Sequence, residues 1–231
     1  MMRIMVIVVI GNSSNSCSSQ HHQQYLSSPS LSSSEQLSSS SPLPPPKFKT
    51  SYADIEDKRR RILTFDIEKI DSCCINLTTE DFVCIVGSGG ERKYANTLLM
   101  RLCIRALMSK RHGGFESTNV IFVDAGGGSC SDIYQCVNFA RQYGLDIKKV
   151  LQSIMVTRAF TIYQLADLII YQLPKIIQQF NDKVIVVIIA DLLNLFTCDP
   201  NIDLDEAISL IKEIINSIRK TLDNILVVVS F

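Results

Sequence analysis

The sequence predicts an α/β fold in which a mainly parallel sheet is covered by helices on both faces, and three observations lead there. From residue 81 onward, short runs rich in Val and Ile alternate with longer stretches of helical periodicity, which is the pattern of parallel strands joined by helices. The runs lack polar alternation, as strands buried on both faces do. Eight of the ten glycines fall in three clusters, and the first and third follow directly on such runs, at the edge where open α/β sheets bind ligands.

Taken in order, residues 12–46 hold fifteen serines and five of the seven prolines, with Glu35 as their one charge. A stretch of that composition has too little apolar surface to offset its ordering entropy, so residues 1–46 are read as a disordered tail. Its start, Met1-Met2-Arg3 followed by an apolar run over 4–10, imitates a signal peptide. The run is too short to span a bilayer and lacks a clean small-x-small cleavage site, so an incidental apolar start or a misplaced start codon is expected, with a cytoplasmic location and no membrane role. Residues 47–80 are a linker and lead-in, and residues 81–231 form the core domain. Strands are expected at 82–86, 120–124, 154–157, 184–190 and 225–230, and helices at 93–109, 131–143, 147–152, 161–180 and 204–222. Ser129 with Asp132 three residues on suggests a capping box for the second helix. Pro174 should kink the fourth or mark its break. The middle glycine pair, Gly113-Gly114, reads as an ordinary turn.

Formal net charge is zero, so a strongly basic nucleic-acid binder is not indicated. The run Lys58-Arg59-Arg60-Arg61 reads as a solvated helix end. Eight cysteines occur without CxxC pairs or nearby histidines, which argues against a metal or disulfide framework. Cys84, Cys103, Cys136 and Cys198 sit among apolar residues and are read as core thiols, in keeping with a reducing compartment.

The first glycine cluster opens the segment Gly87-Ser88-Gly89-Gly90-Glu91-Arg92-Lys93-Tyr94. A GxxxxGK[ST] loop uses glycines to wrap backbone N–H groups around phosphate, a lysine to reach the terminal phosphates and a hydroxyl to hold Mg²⁺. Gly87 and Lys93 keep that spacing. Arg92 stands at the sixth position and Tyr94 at the eighth, so the close-approach glycine and the short hydroxyl are missing. The candidate nucleotide-binding residues are Gly87, Ser88, Gly89, Gly90, Arg92, Lys93 and Tyr94.

Several further segments occur in a telling order: Phe48-Lys49-Thr50-Ser51, then the glycine loop, then Phe122-Val123-Asp124-Ala125-Gly126-Gly127. Ala140 to Asp146 with its Gly144-Leu145-Asp146 turn comes next, followed by Val150 to Phe160, the strand ending at Asp191, and Val227-Val228-Val229-Ser230. Together they resemble the RecA/RadA recombinase family, in particular its archaeal RadA-like branch, over residues 47–231. The resemblance implies a RecA-like P-loop NTPase core, here C-terminally truncated. It also implies a linker in which Phe48 and Ser51 dock on a neighbouring protomer, and Asp191 as the Walker B carboxylate that holds Mg²⁺ through water.

The departures matter as much. The family's water-activating glutamate matches Gly126, which has no side chain to act as a base. The matching DNA-binding loop carries Asp199, Asp203, Asp205 and Glu206 without lysine or arginine, so direct DNA binding is expected to be weak or absent. Lys110-Arg111-His112 could touch phosphates nonspecifically. The final strand, or its neighbours, is expected to be an exposed apolar edge open to another chain. Three functions fit: a weakly ATP-binding or non-catalytic paralogue that associates with a recombinase, an ATPase with relocated catalytic groups, or a KaiC-like regulatory scaffold.

Overall fold

Six parallel strands form one sheet in the computed structural model, which describes residues 3–9, 62–73, 77–87, 92–117, 119–126, 132–180, 185–221 and 225–231. The strands are β1 (Arg3–Val9), β2 (Asp81–Gly87), β3 (Asn119–Asp124), β4 (Ile154–Arg158), β5 (Ile185–Ala190) and β6 (Ile225–Ser230). Their spatial order is β1-β2-β6-β5-β3-β4. The helices are α1 (Glu68–Cys73), α2 (Arg92–Leu107), α3 (Ile133–Gln142), α4 (Ile147–Ser153), α5 (Ile162–Asp167), α6 (Leu173–Gln178), α7 (Asn194–Cys198) and α8 (Leu204–Lys220).

Two apolar layers flank the sheet because its central strands are apolar at nearly every position, with Asn119, Asp124 and Ser230 only at strand ends. Val83, Ile85, Phe122, Ile188 and Val228 face α2, α3 and α4, and Leu63, Phe65 and Leu77 of the lead-in join the same layer. Ile121, Val123, Val187, Ile189, Val227 and Val229 face α5, α6 and α8. Each fully buried Val, Leu or Ile contributes about 1.5–3 kcal/mol. The chain crosses from β2 to β3 and from β3 to β4 over the first face, then returns from β4 through β5 to β6 over the second. Opposite directions on opposite faces give these four crossovers one hand, the right-handed one that parallel units take.

Four expectations need correction. Residues 3–9 do not belong to a tail: Arg3–Val9 is an edge strand, in register with β2 from Arg3 opposite Asp81 to Val9 opposite Gly87. The apolar run pairs because Met5 and Ile7 gain cover from the core. The final strand is not an edge either, since β6 lies between β2 and β5 with all six residues buried. Thirdly, α3 is capped by Asp132 itself, whose carboxylate accepts from Tyr134 N and Gln135 N; Ser129 lies outside the described residues. Cys198 likewise departs from the core: it is exposed on α7, while Cys103 and Cys136 are buried and Cys84 is half-buried.

Pro174 marks a break in the regular α-helix, standing at the start of α6. A π-helical turn over Leu168–Gln172 precedes it, and the wider i→i+5 bonding accommodates a residue that lacks an N–H and crowds the carbonyl four positions back. Ser217 Oγ of α8 donates to Ile169 O within that turn at 3.2 Å.

Candidate functional site

At the carboxyl edge, β3 and β5 are neighbours whose chains leave toward opposite faces. Such a divergence opens a crevice, the usual ligand position in an α/β sheet. Asp124 ends β3 on one side of it, and Asp191 follows β5 on the other. Ala125 N donates to Ala190 O at 3.0 Å and closes the ladder between them.

Asp124 is fully buried. Its Oδ1 accepts from Gly126 N at 3.0 Å, and its Oδ2 lies 3.4 Å from Arg158 Nε. Arg158 reaches it because the two residues are direct partners in the β3–β4 register, where side chains project to the same face. Burying a carboxylate demands such charge and hydrogen-bond compensation.

Asp191 is buried and takes a left-handed backbone, φ 54°, a conformation that aspartate tolerates better than most residues. Two bonds hold it there: Asp191 N donates to Ser230 Oγ and Leu192 N donates to Ser230 O, each at 2.9 Å. One residue further, Phe231 N donates to Ile85 O at 3.0 Å, and Phe231 O accepts from Gly87 N at 3.3 Å. The end of β6 therefore links the start of the glycine loop to the Asp191 turn.

Of the predicted phosphate-loop residues, Gly87 ends β2, and Ser88, Gly89 and Gly90 lie outside the described residues. Arg92 opens α2, and Lys93 and Tyr94 are exposed on its first turn, Tyr94 at 63%. Phe48, Ser51 and Lys58–Arg61 also lie outside the described residues. Lys110-Arg111-His112 forms an exposed 3-10 turn between α2 and β3, which places it on the amino edge, opposite the crevice. Among the described residues, no group of three or more His, Cys, Asp or Glu could hold a metal ion.

Beyond β5 the acidic stretch falls largely at the start of α8, with Asp205 and Glu206 in its first turn. Tyr163 OH of α5 donates to Glu206 Oε1 at 2.8 Å, and this bond to a carboxylate raises the phenol's pKa. Sequence reasoning missed Arg158 and Ser230 as members of the site. The register that pairs Arg158 with Asp124 is not visible locally, whereas Ser230 carried a signal as the lone hydroxyl closing an apolar strand.

A second surface lies at the β4 edge. Ile133, Leu151 and Val156 are exposed there and rim a shallow apolar pocket floored by Met100, Cys103, Phe122 and Cys136. Among the described residues, no helix is long and apolar enough to cross a membrane. Compared with protein families, the chain matches the Rad51 model over residues 76–230, which takes in β2 to β6 and the crevice. No curated protein matches it.

Proposed function

The chain belongs to the Rad51 family, and from that membership we propose that it acts in DNA recombination and repair by associating with a recombinase, with little or no ATP turnover of its own. Family membership supports the recombinase-related role. The observation that carries the associative reading is the exposed apolar pocket at β4, rimmed by Ile133, Leu151 and Val156. Exposed apolar side chains on an edge strand suit cover by another chain, and Phe48 with Ser51 offers an apolar segment to provide it. Weak turnover is supported by Gly126, which brings no carboxylate to the crevice, and by Asp124, whose charge is already engaged by Arg158 and Gly126 N.

The residues fit nucleotide in part. Lys93 is exposed on the first turn of α2, a helix terminus that favours anions, and would hold phosphate together with the loop from Gly87 to Arg92. Asp191 would hold Mg²⁺ through water, which would supply charge neutralisation. Tyr94 offers a bulky phenol in place of the short hydroxyl, so the metal loses a direct protein ligand.

The associative reading is tested by capture of a full-length recombinase of the same family. Loss of an aromatic anchor costs on the order of 2 kcal/mol or more, so Phe48→Ala should reduce capture at least tenfold; unchanged capture would end this proposal. A second reading, an ATPase with relocated groups, is favoured by Asp191 being held firmly at the crevice by Ser230. It requires Mg²⁺-dependent phosphate release that both Lys93→Ala and Asp191→Ala remove.

A further inference from the structure

Strand β1, like β4, lies at an edge of the sheet. It has one strand neighbour, β2, along its full length. On one face Met5 and Ile7 pack against the core, but on the other Ile4 and Val6 are 47% and 52% exposed. After Arg3 it carries no charge and no proline, so it lacks the usual devices that make an edge strand particular about its partner. Its link to the molecule is also long. A parallel crossover needs a dozen or so residues, whereas 52 residues, 10–61, separate β1 from the first described residue of the lead-in. Fully extended at about 3.3–3.6 Å per residue, they reach about 170–190 Å, several times the diameter of about 40 Å expected for a core of this size. The connection therefore does not dictate whose β2 the strand must pair with.

We propose that β1 is a donor strand exchanged between two copies of this chain, each lending residues 3–9 to the β2 of the other. The exchanged pairing keeps the same seven-residue parallel register, the same contacts of Met5 and Ile7 and the same exposed face. It therefore forms at no loss of contacts, the condition under which domain swapping is inexpensive. Its partner is a second copy because only another β2 offers the matched register. The swap lies at the opposite end of the sheet from the β4 pocket, so the two contacts are separable.

The register supplies the test, since Val6 is the direct partner of Cys84 and both are accessible on the same face. Full-length Val6→Cys/Cys84→Ser chain is mixed with a size-tagged unsubstituted chain, and the mixture is equilibrated and treated with a thiol oxidant. Position 6 of one chain can then be joined to Cys84 only in the other. Exchange predicts a covalent heterodimer whose yield rises with protein concentration. Its linked peptides contain positions 6 and 84, and it disappears when the tagged chain carries Cys84→Ser. Heterodimers lacking the 6–84 linkage, or none at all while Val6→Cys alone crosslinks within one chain, would overturn the proposal. Absence of any 6–84 linkage, even within one chain, would overturn it at its root by denying the β1–β2 pairing.

Discussion

Gly114 shows how far a single hydrogen in place of a side chain can matter. A Cβ there would stand 2.3 Å from Met108 O and 2.5 Å from Arg105 O, and both atoms belong to the backbone, where neither can step aside. Gly114→Ala should destabilise the fold by about 3 kcal/mol, the upper end of overpacking costs, measured by urea unfolding. Its neighbour Gly113, at φ 72°, leaves room for the buried guanidinium of Arg105. That group donates to Thr64 O, Thr64 Oγ1 and Gly113 O and lies over the Tyr143 ring. At the crevice, Ser230→Ala removes the acceptor of Asp191 N and should cost about 1–2 kcal/mol, with Ser230→Thr restoring most of it. The thiols give a separate check. Burial raises Cys84 and Cys136 from 9.0 to about 11. Stabilisation from a raised folded pKa is full below the unfolded value and is lost as pH rises through the folded one, because only the unfolded thiol ionises in between, so stability should fall between pH 9 and 11. Of Cys84, Cys103, Cys136 and Cys198, Cys198 should be alkylated first at pH 8, and Cys103 only on unfolding.

At the scale of elements, the β4 edge makes the sharpest prediction. Val156→Glu places a charge at an exposed position on the rim of the apolar pocket, so it should leave the melting temperature within a few degrees and reduce recombinase capture at least tenfold. Equal capture by the variant would remove the pocket from the interface. The elements themselves show what local pattern can and cannot reveal. Strands β3, β5 and β6 were legible because nearly unbroken Val and Ile runs need burial on two faces, and β2 and β4 because short apolar runs recur between helical stretches; the observed bounds of all five lie within a residue or so of expectation. Strand β1 was not, because its apolar run adjoins a Ser-rich stretch and a charged start, which together imitate an export signal. Helix α7, five residues long, is too short for any periodicity to emerge. Within the candidate site, Lys93 and Asp191 were visible as residue types at a spacing, but the Asp124–Arg158 and Asp191–Ser230 contacts depend on strand neighbours 34 and 39 positions apart. No window along the chain contains both partners.

At the scale of the whole molecule, β6 is the only hydrogen-bonded link, among the described residues, between the pair β1-β2 and the trio β5-β3-β4. Local strand pattern does not contain that order; it follows only from long-range pairing. Tightening or loosening β6 should thus be felt by the entire sheet. Val228→Ala at its fully buried centre should lower stability by about 2–3 kcal/mol while the unfolding transition stays single by both circular dichroism and tyrosine fluorescence. A split into two transitions would mean that the halves cohere without it. The same arrangement sets a timetable on the ribosome. Residues 81–87 emerge early, yet the strand that must lie beside them is made 138 residues later. At about 5–20 residues per second, that leaves on the order of ten seconds or more in which one flank of β2 waits uncovered in the nascent chain. Chaperone occupancy should peak in that interval and fall once residue 230 clears the exit tunnel.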